Sequence, residues 1–344
     1  VVFAFLCVSI IIIGFAKNSY SEMVDAQIDL YKGAPTLFIK NTPNSAMVYM
    51  TYNPNYKYFK QFGDNGIHIY SFSSTPSESG YGLAPTTWIE PDKYDYSNLD
   101  ARVNMILEAD PNAYIFPRIY LHSPRWWDAK YPDELVTIDP GDGKPVPFYH
   151  HPGDKRAPSW ASEIWRRDTA DAIRKYISHI KASPYSDRII GYHIASGTTE
   201  EWMMWGSNED QWADYSKPNL EAFRQWLKKK YVNIDDLRRA WNDPKVTFES
   251  VMIPTKSERQ NSKLFSFRNT EEEMHVIDYY LYNSDMVAKT IDYFAKVIKE
   301  ETDRKAIVGV FYGYVLQLIG EQRQQNAGHL ALQKILNSPN IDFI

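Results

Sequence analysis

The sequence has little cysteine and no excess of basic residues. Its 344 residues include one cysteine, Cys7, inside the apolar opening stretch VVFAFLCVSIIIIGFA. If that stretch is removed, no thiol remains, which excludes disulfides and cysteine-based catalysis in the rest of the chain. The formal net charge is −5, so there is no basic field to hold a polyanion. We therefore expect no nucleic-acid partner.

Two kinds of ligand-binding motif are also missing. No glycine-rich loop follows the first predicted strand, which argues against a dinucleotide-binding or P-loop fold. No HExxH or cysteine-based ligand spacing is present, so a polar loop is the better interpretation of His150-His151 with Asp154. We therefore expect neither a cofactor nor a metal site.

The opening stretch, residues 1–16, is apolar and is followed by the polar residues Lys17-Asn18-Ser19. Its length is typical of the apolar region of a signal peptide and is short for a membrane span. It predicts a signal peptide or a membrane-anchor remnant at 1–16, followed by a lead-in segment at 17–45. The protein is then exported (periplasmic, cell-surface or secreted), with membrane contact only through this N-terminal segment.

Aromatic residues are abundant. They make up 15% of the chain, with 10 tryptophans and 25 tyrosines. Flat aromatic faces pack cores, and they also stack on the apolar faces of ligands such as sugars. The excess is therefore compatible with saccharide binding, although core packing explains part of it.

From residue 46 onward, segments with strand-like and helix-like patterns alternate. Such alternation predicts a parallel sheet, either open and doubly wound or closed as a barrel. The long loops follow the strands, which favours an α/β fold of the (β/α)8 TIM-barrel type. About six β/α units are present in residues 46–344. The predicted strands are 46–52, 67–73, 113–121, 188–196, 306–316 and 341–344.

Polar residues mark the ends of the predicted strands. Three of them share one face of the third strand, by the two-residue period of a strand: Arg118, Tyr120 and His122. The fourth strand contains His193 and ends in a Gly-Thr-Thr turn followed by Glu200 and Glu201. A carboxyl group in a cleft of aromatic rings is desolvated, so its pKa rises toward that of a general acid. The side chains expected to meet there are His122, Trp126, His193, Glu200 or Glu201, Trp202 and Tyr312.

Three segments resemble glycoside hydrolase family 42. YDYSNLDARVNMILEADPNAYIFPRIYLHSPRWW is similar to its second and third strand units, and FRQWLKKKYVNIDDLRRAW to the helix after its fourth strand. NSPNIDFI is similar to the start of its sixth strand. The resemblance implies a retaining (β/α)8 hydrolase, typically a β-galactosidase. In that family the acid/base glutamate follows strand four and the nucleophile follows strand seven.

The chain departs from the family pattern at two places. The family ends strand four with Asn-Glu, whereas this chain has Ser196-Gly197 there, with the acids displaced. By its spacing to Trp202, Glu201 is the preferred acid/base, with Glu200 second. The family's arginine on strand two is also absent, so β-galactosidase specificity is not inherited. The resemblance places the nucleophile beyond Ile344, and residues 1–344 alone are then expected to be inactive.

These observations predict retaining hydrolysis of a β-linked oligo- or polysaccharide by two carboxylates. One alternative is a barrel that binds carbohydrate without turnover, because the Asn-Glu pattern is missing. Another is a lyase or transglycosidase, because a fold alone does not fix the chemistry. The predicted substrate-binding residues are Arg118, His122, Trp126, His193, Trp202 and Tyr312.

Overall fold

The structure is a computed structural model that describes residues 22–79, 82–150, 155–198, 200–207, 211–262, 267–316 and 323–344. The predicted signal or anchor stretch at 1–16 lies outside these residues, as do His151 and Asp154. None of the described helices combines the length and the apolar character needed to cross a bilayer.

The described residues form fourteen strands, ten α-helices and two short 3₁₀ helices. The strands are β1 (Ala26–Tyr31), β2 (Ala34–Ile39), β3 (Thr42–Asn44), β4 (Val48–Thr51), β5 (Ile69–Ser74), β6 (Trp88–Glu90), β7 (Lys93–Tyr94), β8 (Tyr114–Ile115), β9 (Arg118–Tyr120), β10 (Thr137–Asp139), β11 (Val146–Pro147), β12 (Gly191–Ala195), β13 (Trp212–Ala213) and β14 (Ile307–Val310). The helices are α1 (Tyr56–Asp64), α2 (Ser97–Ala109), α3 (Arg125–Lys130), α4 (Glu163–Lys181), α5 (Lys217–Lys230), α6 (Ile234–Trp241), α7 (Lys256–Gln260), α8 (Met274–Glu301), α9 (Arg323–Asn326) and α10 (Leu332–Leu336).

The central sheet is built from parallel strands in chain order, β4-β5-β9-β12-β14, with β8 also paired to β5. Beyond β14, Gly309 forms a parallel bridge with Phe343, where the sixth strand was predicted. Helices α1, α2, α4 and α8 lie between successive strands, as in a (β/α)8 TIM barrel. The predicted fold class is therefore confirmed, with five strands and the beginning of a sixth.

The third predicted strand, 113–121, is interrupted. The structure divides it into β8 and β9, with Phe116 and Pro117 between them. A proline has no N–H to donate to a sheet, so pairing fails at this position and resumes one residue later. The break matters for the site, because β9 then begins with Arg118.

Helix α4 carries the predicted apolar stripe and packs on the sheet. The buried residues of the stripe are Ala172, Ile173, Tyr176, Ile177 and Ile180. Their spacing of three and four places them on one face of the helix. The Tyr176 hydroxyl also lies 2.8 Å from the hydroxyl of Ser74, at the end of β5. This helix thus supports the strand ends from outside the barrel.

A small antiparallel sheet, β1-β2-β3, covers the other end of the barrel. Its buried side chains pack on residues at or just before the starts of barrel strands. The hydrophobic cluster between the small sheet and the barrel contains Val24, Ala26, Leu37 and Ile39 from the N-terminal side and Ile69, Phe116, Ile190 and Ile307 from the barrel side. The N-terminal end of the barrel is closed in this way, so the carboxyl ends of the strands are the accessible end. The domain boundaries at residues 16 and 45 stay a prediction.

Candidate functional site

A row of paired residues crosses the central sheet and forms the floor of the candidate site. Ser73 pairs with Arg118, Arg118 with His193, and His193 with Gly309. Directly paired residues of parallel strands point to the same side of a sheet. Arg118 and His193 therefore project from one face, as their positions in the sequence predicted. Gly309 has no side chain, and the ring of Phe343 occupies the space that its Cβ would fill.

The turn after β12 brings a glutamate onto Arg118. Glu200 Oε2 lies 3.0 Å from Arg118 Nη2, and both side chains are buried. Neither carboxylate oxygen is aligned to accept a hydrogen bond from a described residue. Glu200 and Trp202 both have left-handed backbones, with φ of 68° and 59°. Such conformations are unfavourable for non-glycine residues and persist only where the surroundings enforce them.

Burial and charge act in opposite directions on Glu200. Burial raises the pKa of its carboxyl group, and the charge of Glu201 raises it further, whereas the Arg118 guanidinium lowers it. The net result is a pKa of about 7. Since Glu200 is only 2% exposed, burial is the largest of these effects. A carboxyl group with this pKa can hold or release a proton near neutral pH.

Glu201 lies on the more open side of the same turn and is partly exposed. The pKa of Tyr314 shows what surrounds it: burial raises that pKa to about 12, with further contributions from Glu201 and Tyr52. Tyr52 is 46% exposed, and its ring centroid lies 4.3 Å from the guanidinium carbon of Arg118. The exposed ring of Tyr52 thus lies on Arg118, and Tyr314 is close enough to Glu201 to feel its charge.

His193 is enclosed beside Arg118. Its ring centroid lies 4.3 Å from that of Phe311, and neither ring nitrogen has a hydrogen-bond partner among the described residues. Burial, and to a lesser extent the charge of Arg118, lower the His193 pKa to about 3. This histidine is thus neutral at physiological pH.

The remaining predicted binding residues are distributed over other contacts. Trp202 is 0% exposed, and its indole N–H donates to the carbonyl of Ile194 at 3.2 Å. Trp126 donates its indole N–H to the carbonyl of Trp88 at 3.1 Å, and the two rings meet edge to face. Both indoles use their polar atom within the protein. The structure therefore does not bring Trp126 or Trp202 against Arg118, and their binding roles stay predictions.

His122 and Tyr312 are also held by protein contacts. His122 is buried with its Nδ1 2.9 Å from the carbonyl oxygen of Ser123, and its ring lies against Trp205. Burial lowers its pKa to about 3. The Tyr312 hydroxyl donates to the carbonyl of Gly328 at 2.8 Å. Of the eight predicted residues, the structure groups four around the floor: Arg118, His193, Glu200 and Glu201.

Sequence reasoning did not select Tyr52, Phe311 and Tyr314. The predicted strands 46–52 and 306–316 contained Tyr52 and Tyr314, whereas the structure places both residues after the ends of β4 and β14. Phe311 comes directly after β14, and its ring centroid lies 5.7 Å from the guanidinium carbon of Arg118. It occupies the place that had been expected for its neighbour Tyr312. Whether Phe311 or Tyr312 faces the site depends on the backbone conformation after β14. The two-residue repeat of a strand does not predict that conformation, because the strand has already ended at Val310.

A second group of buried acids lies in the loops after β5 and β9. Glu78 forms an ion pair with Lys155 at 2.9 Å. Asp128, at the start of α3, accepts a short hydrogen bond from the Ser123 hydroxyl. Burial raises the Asp128 pKa to about 7, while the hydrogen bond from Ser123 partly offsets this increase. The Glu78–Lys155 ion pair and the Ser123–Asp128 hydrogen bond join loops that border the site. With its raised pKa, Asp128 is a second carboxyl group, after Glu200, that titrates near neutral pH.

A cavity of about 590 Å³ lies between α4, α5 and α8 and is lined in part by Arg166, Trp226 and Tyr282. None of its lining residues belongs to the site described above. Within the described residues, no group of three or more His, Cys, Asp or Glu side chains could hold a metal ion. The predicted lack of a cofactor stays a prediction.

Comparison with known proteins gives a consistent family. Glycoside hydrolase family 42, described as Beta-galactosidase, matches residues 80–334. Beta-galactosidase LacZ of Lactobacillus acidophilus is 21% identical over 281 residues, covering 79% of this chain and 38% of that protein. The family match includes β9, β12, β14 and the turn that carries both glutamates.

Solved structures agree in fold. The exo-carrageenase of glycoside hydrolase family 42 from Bacteroides ovatus has a TM-score of 0.54 at 16% identity, over 94% of this chain and 38% of that one. The catalytic domain of beta-amylase from Paenibacillus polymyxa has a TM-score of 0.60 at 15% identity, over 86% and 75%. At these identities both structures show the fold alone. This chain spans well under half the length of the curated relatives it matches.

Proposed function

This chain belongs to glycoside hydrolase family 42, and from that premise we propose that it carries the acid/base half of a retaining hydrolase of β-linked saccharides. The observation that supports the proposal is the pair of acids after β12. One is buried on Arg118, and the other lies beside it on the open, aromatic side of the turn. Adjacent carboxyl groups in such different environments can take different roles at one pH.

In the proposed mechanism, Glu201 protonates the glycosidic oxygen as it leaves and then activates the water that releases the sugar. We assign this role to Glu201 because it is partly exposed, whereas Glu200 is buried against Arg118. Glu200 then holds Arg118 in place. A nucleophilic carboxylate about 5–5.5 Å from the acid/base completes the retaining geometry.

The test compares Glu201→Gln with Glu200→Gln in the complete protein, on substrates with poor and with activated leaving groups. Loss of a general acid slows poor leaving groups by roughly 10²–10⁴-fold and affects activated aryl glycosides much less. We expect this selective loss for Glu201→Gln. Glu200→Gln should reduce both rates by a similar factor, since it disturbs Arg118. The opposite pattern would assign the acid role to Glu200, and equal losses in both variants would contradict an acid role at this turn.

The substrate classes to test first follow from the names of the relatives. We propose β-galactosides, because LacZ of Lactobacillus acidophilus is a β-galactosidase, and carrageenan oligosaccharides, because the Bacteroides ovatus enzyme is an exo-carrageenase. Oligo- or polysaccharide is thus the proposed partner. Measured kcat/KM values on both classes decide between them.

A second candidate function is saccharide binding without turnover. It is favoured by the burial of Glu200, whose carboxylate is engaged by Arg118 rather than open to a substrate. Calorimetric binding of the same saccharides by the complete protein, with no product formed, would support this function over hydrolysis.

We also propose that the protein is exported, on the basis of the apolar stretch at 1–16. Mass spectrometry of the N-terminus of the mature protein, isolated from its source cells, tests this. An N-terminus after residue 16 is expected, and a retained stretch in a cytoplasmic fraction would contradict export.

A further inference from the structure

The turn after β12 is closed by hydrogen bonds within itself. We call residues 196–206 the acid turn, because they contain both glutamates. The backbone N–H of Trp202 donates to the carbonyl of Ser196 at 2.8 Å. The Thr198 hydroxyl donates to the carbonyl of Met204 at 3.2 Å. The acid turn is therefore a closed unit whose two ends are tied together.

One peptide unit near the start of the acid turn is held at both of its polar atoms. Its N–H, from Thr198, donates to the carbonyl of Met203 at 3.2 Å, and its carbonyl, from Gly197, accepts from the Tyr120 hydroxyl at 2.6 Å. Gly197 has a left-handed backbone with φ of 86°, and a Cβ there would lie 2.5 Å from the Met203 carbonyl oxygen. Tyr120 is the last residue of β9, so this peptide unit links the interior of the turn to the neighbouring strand.

Strand β9 contacts the acid turn through two side chains. Arg118 lies 3.0 Å from the Glu200 carboxylate, and Tyr120 donates to the carbonyl of Gly197. The two side chains are two residues apart on β9, so they project from the same face of the sheet. Both are buried, and a hydrogen bond in such low-dielectric surroundings is stronger than one exposed to water. The position of the turn on β9 thus depends on Tyr120 as well as on the ion pair.

We propose that the Tyr120 hydroxyl is a positioning group that fixes the acid turn on β9 and so sets the position of Glu201 relative to Arg118. The left-handed backbones of Glu200 and Trp202 persist only where the surroundings enforce them, and Tyr120 holds the turn just before these residues. The catalytic part of the proposal rests on the function proposed above. The structural part does not, since it concerns only what holds the turn.

Two substitutions isolate the role of the hydroxyl. Tyr120→Phe removes one oxygen and leaves the ring to fill its buried position. Tyr192→Phe is the matched control, because Tyr192 is also buried and lies on the adjacent strand β12. The Tyr192 hydroxyl has no hydrogen-bond partner among the described residues. The two variants therefore lose the same atom, but only Tyr120→Phe loses a bond to the acid turn.

Kinetics on the complete protein test the catalytic part. Displacing a catalytic group by about 1 Å can cost about 100-fold in rate, and loss of a general acid slows poor leaving groups most. We expect Tyr120→Phe to lower kcat by about 10–100-fold on a glycoside with a poor leaving group and by about twofold at most on an activated aryl glycoside, with KM little changed. Tyr192→Phe should match the wild type on both substrates. A kcat for Tyr120→Phe that falls equally on both substrates, or does not fall, would overturn the positioning role, as would a change confined to KM.

Hydrogen exchange tests the structural part without any activity. Tyr120→Phe should speed exchange of the Thr198 and Trp202 amides by about fivefold, the effect of losing one hydrogen bond on a local opening equilibrium, while the amides of β5 keep their wild-type rates. Tyr192→Phe should leave both regions unchanged. If the wild-type protein hydrolyses no glycoside, the proposed function fails, and the exchange rates alone decide whether Tyr120 holds the turn. Identical exchange in wild type and Tyr120→Phe would overturn the proposal.

Discussion

At the scale of single residues, burial determines the chemistry of the site more than charge does. Glu200 has a cation at 3.0 Å, yet its pKa is raised because desolvation outweighs the attraction of Arg118. The sequence indicated both residues, since each lies at or beside the end of a predicted strand. It could not indicate the raised pKa, which depends on how completely the folded chain encloses the pair.

Asp128 provides a test of burial at this scale. Its pKa is about 7 in the folded protein and about 3.9 in an unfolded chain, so between these values only the native state keeps the proton. The free energy of unfolding must then decrease as pH rises through this window. From pH 5 to pH 8, we expect Asp128 to contribute a loss of about 3 kcal/mol, using about 1.4 kcal/mol per pKa unit. Glu200, whose pKa is also raised, likewise makes the free energy of unfolding decrease as the pH rises.

Denaturant unfolding at the two pH values measures this effect. Asp128→Asn keeps an oxygen for the Ser123 hydroxyl and removes the titration, so the loss between pH 5 and pH 8 should shrink by about 3 kcal/mol. Asp133→Asn, at an exposed carboxylate in the following 3₁₀ helix, should keep the wild-type dependence. A pH dependence that is identical in all three proteins would show that Asp128 is not buried as described.

At the scale of elements, the order of strands and helices followed from periodicity, whereas strand limits did not. Predicted strand 188–196 forms regular pairing only from Gly191 to Ala195, and predicted strand 306–316 ends at Val310. Periodicity reports which residues face the core, but pairing stops where the backbone turns toward a neighbouring loop. Those turns place Glu200 and Phe311. The parts of the sequence least predictable in conformation are therefore the parts that build the site.

Neighbouring strands lie very close together at two glycines, Gly191 and Gly309, and substituting them tests this packing. A Cβ on Gly191 would lie 2.3 Å from the carbonyl oxygen of Ile307, and a Cβ on Gly309 would lie 2.1 Å from the ring of Phe343. Overpacking of this kind costs about 1–3 kcal/mol. We expect Gly191→Ala to destabilise more, because a paired backbone cannot move aside. At Gly309 the clash is with the ring of Phe343, a partly buried side chain that can rotate, whereas at Gly191 it is with backbone. Denaturant unfolding of both variants measures the order, and a larger loss for Gly309→Ala would contradict it.

At the scale of the whole molecule, the fold was predictable because its parallel strands are consecutive in the chain. The antiparallel sheet β1-β2-β3 closes one end of the barrel and leaves the site at the other end. Within the described residues β4 pairs with β5 alone, so its other edge is unpaired. In an eight-stranded barrel that edge pairs with the last strand. Assays of the proposed activity therefore use the complete protein.

The stereochemistry of hydrolysis distinguishes a retaining pair of carboxylates from the alternatives. The complete protein is incubated with an aryl β-galactoside and with a carrageenan oligosaccharide, and proton NMR identifies the anomer that appears first. Glu201 acting with a second carboxylate as a retaining pair predicts that the β-anomer forms first and then mutarotates. First appearance of the α-anomer would contradict the retaining mechanism. Saturable binding without any released sugar would contradict catalysis itself and leave the turn after β12 as a ligand contact.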